Sequence, residues 1–119
     1  MFTDRLKEIE RRIDGAIALS LVARDGIPVE WVASSDSQLD LELLAAELMS
    51  QVRAISQNHQ ELAVGKVRHF SVTTDRFTLM VNAVTEEYYL LLVLAGSANR
   101  GRARFELRRS VLLFENDLT

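Results

Sequence analysis

Apolar residues alternating with period two mark the strands of this chain, and apolar residues recurring every three to four positions mark its helices. The densest apolar stretch is Tyr88-Tyr89-Leu90-Leu91-Leu92-Val93-Leu94-Ala95. Tyr88, Leu90, Leu92 and Leu94 cover one face and Tyr89, Leu91, Val93 and Ala95 the other, so this strand needs cover on both sides. Glu86-Glu87 and Gly96-Ser97 bound it at a length that suits a strand better than a helix. The pattern predicts a central strand with helices on both sheet faces.

The other elements follow from the same rules. Phe2, Leu6, Ile9 and Ile13 form one narrow stripe on an otherwise charged helix, with Thr3 or Asp4 as its cap and Gly15 as its stop. Ala16 to Arg24 reads as a strand with Ile17, Leu19 and Leu21 on one face and Ala16, Ala18 and Val22 on the other. Asp25-Gly26 signals a two-residue hairpin. Its partner strand, Ile27 to Val32, carries Pro28, which lacks an N–H for a ladder and so belongs at a sheet edge.

The polar turn Ser34-Ser35-Asp36-Ser37 leads into a long helix over roughly Leu39 to Asn58. Leu41, Leu44, Ala45, Leu48, Val52 and Ile55 make its main arc, which should face the sheet. Nearly opposite lies a second stripe of Leu39, Leu43, Ala46, Ser50 and Ala54, flanked by Glu42, Glu47 and Arg53. A monomer gains little from a second apolar stripe, and small residues at Ala46 and Ser50 let another helix approach closely. This predicts a seam for a second copy of the same helix.

Leu62 to Thr73 predicts a weaker strand, in which Val64, Val67, Phe70 and Val72 change phase near Gly65, as at a bulge. A turn at Thr74-Asp75 returns the chain into Arg76 to Val84, with Phe77, Leu79, Val81 and Ala83 on one face and Arg76, Thr78 and Asn82 on the other. Asn99 to Leu118 predicts a last helix with the stripe Ala103, Leu107, Val111, Phe114 and Leu118, leaving Phe105 and Leu112 to pack on the first helix. The order is α-β-β-α-β-β-β-α, an α+β fold whose two antiparallel hairpin units share one sheet. The Leu62–Thr73 edge has no proline, and an unprotected edge beside a helix with a spare stripe predicts a homodimer with joined edges and paired long helices.

Composition narrows the class. At 119 residues with Gly 5 and Pro 1, the chain is expected to be a single domain over 1–119 without linkers. The absence of Cys removes disulfides, thiolate zinc sites and cysteine nucleophiles, and fits a cytoplasmic home. No run reaches the roughly 18 apolar residues of a membrane span, and the charged start Thr3-Asp4-Arg5 does not read as a signal peptide. A net charge of −3 gives no overall footprint for nucleic acid.

Candidate chemistry is thin. His59 and His69 have no nucleophile motif and no metal spacing, and read as surface or hydrogen-bonded histidines. The acidic residues fall on solvated helix faces and turns rather than in a catalytic pair. Gly96-Ser97-Ala98-Asn99-Arg100-Gly101 opens a helix after a strand, as a phosphate loop does, but it lacks the Gly-Lys-Ser/Thr ending and reads as a turn and N-cap. An enzyme using Asn99 and Arg100 at that helix start is the remaining catalytic alternative. Arg100, Arg102, Arg104, Arg108 and Arg109 crowd the first half of the last helix, against the macrodipole. They read as ion pairs to Glu8 or Glu10 or as a site for an acidic protein surface, and without exposed interleaved aromatics they do not suit nucleic acid. Trp31 reads as a core lid on the edge strand. No catalytic residue, metal or cofactor is expected.

Several stretches resemble the Roadblock (dynein light-chain type) family, and within it the small bacterial mutual-gliding-protein-B type. They are Gly15-Ala16 opening a strand, Leu21-Val22-Ala23-Arg24-Asp25-Gly26-Ile27-Pro28-Val29, Leu44-Ala45-Ala46, and Leu92-Val93-Leu94-Ala95 followed by Asn99-Arg100-Gly101-Arg102-Ala103-Arg104. The resemblance implies a five-stranded antiparallel sheet ordered 2-1-5-4-3, with the long helix on one face and the N- and C-terminal helices on the other. It places the Leu62–Thr73 strand at a dimer edge. The expected interface therefore comprises Leu39, Leu43, Ala46, Ser50, Arg53, Ala54, Val64, Val67 and Phe70. The resemblance also implies a non-enzymatic module that binds a small Ras-like GTPase and in some members stimulates its GTP hydrolysis. The alternative is a structural adaptor with no GTPase partner. On the paired-helix surface, Glu42, Glu47, Arg53 and Gln57 are the docking candidates. Neither nucleic acid nor membrane is expected as a partner.

Overall fold

The computed structural model describes residues 2–34, 38–57 and 63–118. In chain order the elements are α1 (Thr3–Arg12), β1 (Ala16–Ala23), β2 (Pro28–Ala33), α2 (Leu41–Gln57), β3 (His69–Thr73), β4 (Phe77–Ala83), β5 (Tyr88–Ala95) and α3 (Arg100–Leu118). The strands form one antiparallel sheet in the order β2-β1-β5-β4-β3. The predicted fold class and strand order are those observed.

The two-sided apolar strand sits at the centre because nothing else in the chain can occupy that place without wasting burial. Leu90, Leu92 and Leu94 join Leu6, Ile9, Leu107 and Phe114 in a core beneath α1 and α3. Tyr89, Leu91 and Val93 join Ala45, Leu48, Met49 and Val52 in a second core beneath α2. Each fully buried leucine here contributes about 1.5–3 kcal/mol, so β5 anchors both layers. On β4, Phe77, Leu79, Val81 and Ala83 all turn toward α2, as the alternation predicts.

β1 departs from simple alternation at its start. Ala16 lies opposite Leu94 of β5 and Ala18 opposite Val93, so Ile17 is an extra residue in the ladder. The bulge moves Ala16 to the face of Leu19 and Leu21, and Ile17 to the face of Ala18 and Val22. The hairpin that follows has three loop residues, Arg24-Asp25-Gly26, rather than two: the Ala23 N–H donates to the Ile27 carbonyl (2.9 Å) and the Gly26 N–H to the Ala23 carbonyl (2.9 Å). Asp25 Oδ1 accepts from the Ile27 N–H at 3.0 Å. Gly26 has φ +95° and a Cβ there would stand 3.2 Å from Ala46 Cα, so the hairpin tip rests directly on α2.

Three further expectations are corrected. β3 covers His69–Thr73 and not the whole of Leu62–Thr73. Leu62 lies outside the described residues, while Ala63 (φ +56°) and Gly65 (φ +81°) take left-handed backbone that ends the extended run. α1 has no side-chain cap, and Phe2 occupies the cap position while Thr3 Oγ1 donates to Glu30 Oε2 at 3.1 Å. Phe105 and Leu112 do not pack on α1 but stand exposed on α3. α1 meets the other end of α3, through Phe2 on Phe114 (centroids 5.9 Å apart) and the Arg5–Asp117 ion pair at 3.3 Å.

Candidate functional site

The site is built on α2. Asp40 caps it: its Oδ1 accepts from the Leu43 N–H at 3.1 Å and its carbonyl from the Leu44 N–H at 3.0 Å. Glu42 in the first turn suits the positive end of the helix dipole. Ala45, Leu48, Met49 and Val52 are buried on the sheet, with Leu41 and Leu44 partly buried beside them. Met49 thus belongs to the arc, whereas Ile55, expected in it, is 37% exposed.

The opposite side of α2 is open. Leu43, Ala46, Glu47, Ser50, Ala54 and Gln57 are all exposed. At three- and four-residue spacing they fall on one stripe about 21 Å long. Leu43 is 58% exposed, a large apolar side chain only partly covered by the described residues. Glu42 is exposed and shares one flank of the helix with the half-buried Arg53, whose Nη1 donates to the Arg24 carbonyl at 2.9 Å.

The nine expected interface residues separate into two groups. Leu43, Ala46, Ser50, Ala54 and Val64 are exposed, and Val64 stands in the loop ahead of β3 rather than on a strand. Leu39, Val67 and Phe70 are partly buried and pack against the chain's own core beneath α2, and Arg53 is fastened to the β1–β2 hairpin. Of the four docking candidates, Glu42, Glu47 and Gln57 are exposed. β3 forms one end of the sheet and pairs within the chain with β4.

The remaining candidates resolve individually. His69 Nδ1 lies 2.5 Å from Asn82 Oδ1, the bond of a strand histidine, and His59 lies outside the described residues. Asn99 caps α3, its Oδ1 accepting from the Arg102 N–H at 3.0 Å, so the glycine-containing loop is a turn and cap. The arginines of α3 do not pair with Glu8 or Glu10. Glu8 holds Arg12 at 2.6 Å, while Arg109 pairs with Glu106 of its own helix at 3.5 Å and lies over the Phe105 ring. Trp31 is no lid. It faces the α2 side of the edge strand and is 49% exposed, beside Val29 at 42% and Ile27 at 63%. Sequence pattern could not reveal this, because an apolar row on an edge strand looks the same whether or not a helix reaches over it. Among the described residues no helix is long and apolar enough to cross a membrane, and no cluster of metal-ligating side chains occurs.

Sheet order, the single helix on one face and the helix pair on the other are those of the Roadblock-like MglB fold. The chain is similar to MglB in a tetrameric arrangement, at 21% identity over 96% of this chain and 85% of that one with a TM-score of 0.84. It is also similar to MglC from Myxococcus xanthus, at 28% identity over 98% of each chain and a TM-score of 0.72. A Roadblock/LC7 domain from Streptomyces avermitilis matches at 16% identity over 96% of this chain and 94% of the other, with a TM-score of 0.82. No family model and no curated protein matches the sequence.

Proposed function

We propose that this chain is a non-enzymatic Roadblock module that pairs with a second copy of itself and, so assembled, docks a small Ras-like GTPase in the cytoplasm. The observation that carries this is the exposed stripe of Leu43, Ala46 and Ser50 on a helix whose other arc already fills the core. Its small residues allow close helix approach, and Leu43 is the kind of exposed apolar group a partner covers. Charge supports an antiparallel pairing. Glu42 and Glu47 lie toward the start of α2 and Arg53 toward its end, so a twofold axis brings the acidic end of one helix beside the basic end of the other. Such a dimer would bury on the order of 1,600 Å². A relative of the same fold is described in a tetrameric arrangement, which suits self-association.

The GTPase partner rests on the resemblance to the mutual-gliding-protein-B type, and the docking face on Glu42, Glu47, Arg53 and Gln57. The test mixes the protein with a Ras-like GTPase loaded with GDP or a GTP analogue, and follows co-elution and single-turnover GTP hydrolysis. Nucleotide-dependent binding is expected, weakened about tenfold by the charge reversal Glu47→Lys. Absence of binding in both nucleotide states contradicts the regulator reading and leaves a structural adaptor.

A further inference from the structure

At the end of the sheet where the β1–β2 hairpin, the last turns of α2, the lead into β3 and the β4–β5 turn converge, they form a half-open cavity of about 340 Å³. Four cations line it, Arg24, Arg53, Lys66 and Arg68, against one carboxylate, Glu86. That carboxylate is already engaged. Glu86 pairs with Lys66, whose hydrogen bond and charge hold the Glu86 carboxyl below the usual carboxylate range. Among the described residues neither Arg24, Arg53 nor Arg68 forms an ion pair. Asp25 and Glu87 lie in a separate depression beside Arg24 and Arg53, and Asp25 is turned to the Ile27 N–H.

The guanidiniums do not surround a merely wet hollow. Val52, Val84 and Tyr89, all buried, and the half-buried Val67 give the cavity an apolar wall. Arg53 is held in place by its bond to the Arg24 carbonyl, which also fixes the hairpin that carries Arg24. Arg24 lies near enough to Glu86 to help lower its carboxyl, and all three guanidiniums are free of ion pairs among the described residues; Arg binds phosphate through paired N–H groups. The apolar wall matches an organic body attached to it, and the volume falls in the range of small-ligand sites.

We propose that this cavity binds a small phosphate monoester, the phosphate between Arg24, Arg53 and Arg68 and the organic group against Val52, Val67 and Tyr89. The site shares Arg53 with the proposed docking face, but its test needs no GTPase and so stands or falls separately. The full chain is titrated with phenyl phosphate, with inorganic phosphate and with benzoate, and amide shifts are followed by NMR. Saturable binding of phenyl phosphate is expected, with shifts concentrated at Arg24, Val67, Arg68 and Thr85 and weaker binding of the other two probes. Arg53→Met and Arg68→Met should each weaken it about tenfold, while Arg102→Gln on α3 leaves it unchanged. Arg68 is exposed and outside any element, so its variant keeps the test decisive even if Arg53→Met disturbs the hairpin. No saturation up to about 10 mM, an affinity for benzoate equal to that for phenyl phosphate, or an Arg68→Met variant that binds as the parent does would overturn the proposal.

Discussion

Glu10 lies on α1 with Oε2 buried and no hydrogen-bond partner for that atom among the described residues. Burial raises its carboxyl pKa above the usual 4.5. The sign follows from linkage: the folded state holds the proton more tightly than the unfolded chain, so the ionised form opposes folding above the folded pKa, and the opposition fades as pH falls through that value. Glu10→Gln should therefore melt at a higher temperature than the parent at pH 7, with the gap closing as the pH is lowered toward the usual 4.5 in thermal melts. A gap that widens on acidification would contradict this. Other single residues were beyond the reach of pattern. Ile17 and Ala16 are both apolar, so nothing in the sequence marks which of them the bulge turns toward α1. Gly15 was legible as a helix stop; in the structure it has φ +88° and a Cβ would fall 2.5 Å from the Ala98 Cβ, so the position excludes any side chain.

Elements were most legible where the apolar pattern was long and regular. β5 and β4 follow their alternation, and the stripe of α3 is buried where it was expected at Ala103, Leu107 and Phe114. α2 was readable as a helix with two arcs, but pattern named no cap for it, and the group that caps is Asp40. Asp40→Ala should lower stability by about 1 kcal/mol, read as a lower urea midpoint at unchanged slope. An unchanged midpoint would deny the cap its role. β3 misled because Val64 and Val67 extend its apolar count while Ala63 and Gly65 turn the backbone left-handed. The packing of Phe105 and Leu112 failed for a reason of direction. The stripe of α3 that shares a core with Leu6 and Ile9 of α1 is Ala103, Leu107 and Phe114, and Phe105 and Leu112 lie off it on exposed faces of the helix.

At the scale of the whole molecule, residue patterns gave two covered sheet faces and an edge marked by Pro28, whereas the strand order came from the family resemblance. The cationic cavity was not legible at all, since Arg24, Arg53, Lys66 and Arg68 come from three separated segments and meet only when the sheet closes. Which expected interface residues are exposed was legible in part. The α2 residues were found from a second apolar stripe that a lone domain does not need, while Val67 and Phe70 were assigned to a partner and are partly used by the chain's own core. Everything proposed about docking follows from the bare stripe of α2 finding its counterpart on another copy. Sedimentation equilibrium tests that most directly. The parent protein should sediment at twice its 13.4 kDa chain mass, and Ala46→Arg, at an exposed position on the stripe, should sediment at 13.4 kDa with an unchanged circular dichroism spectrum. A parent protein at the single-chain mass, or an Ala46→Arg variant that keeps the doubled mass, would contradict the account.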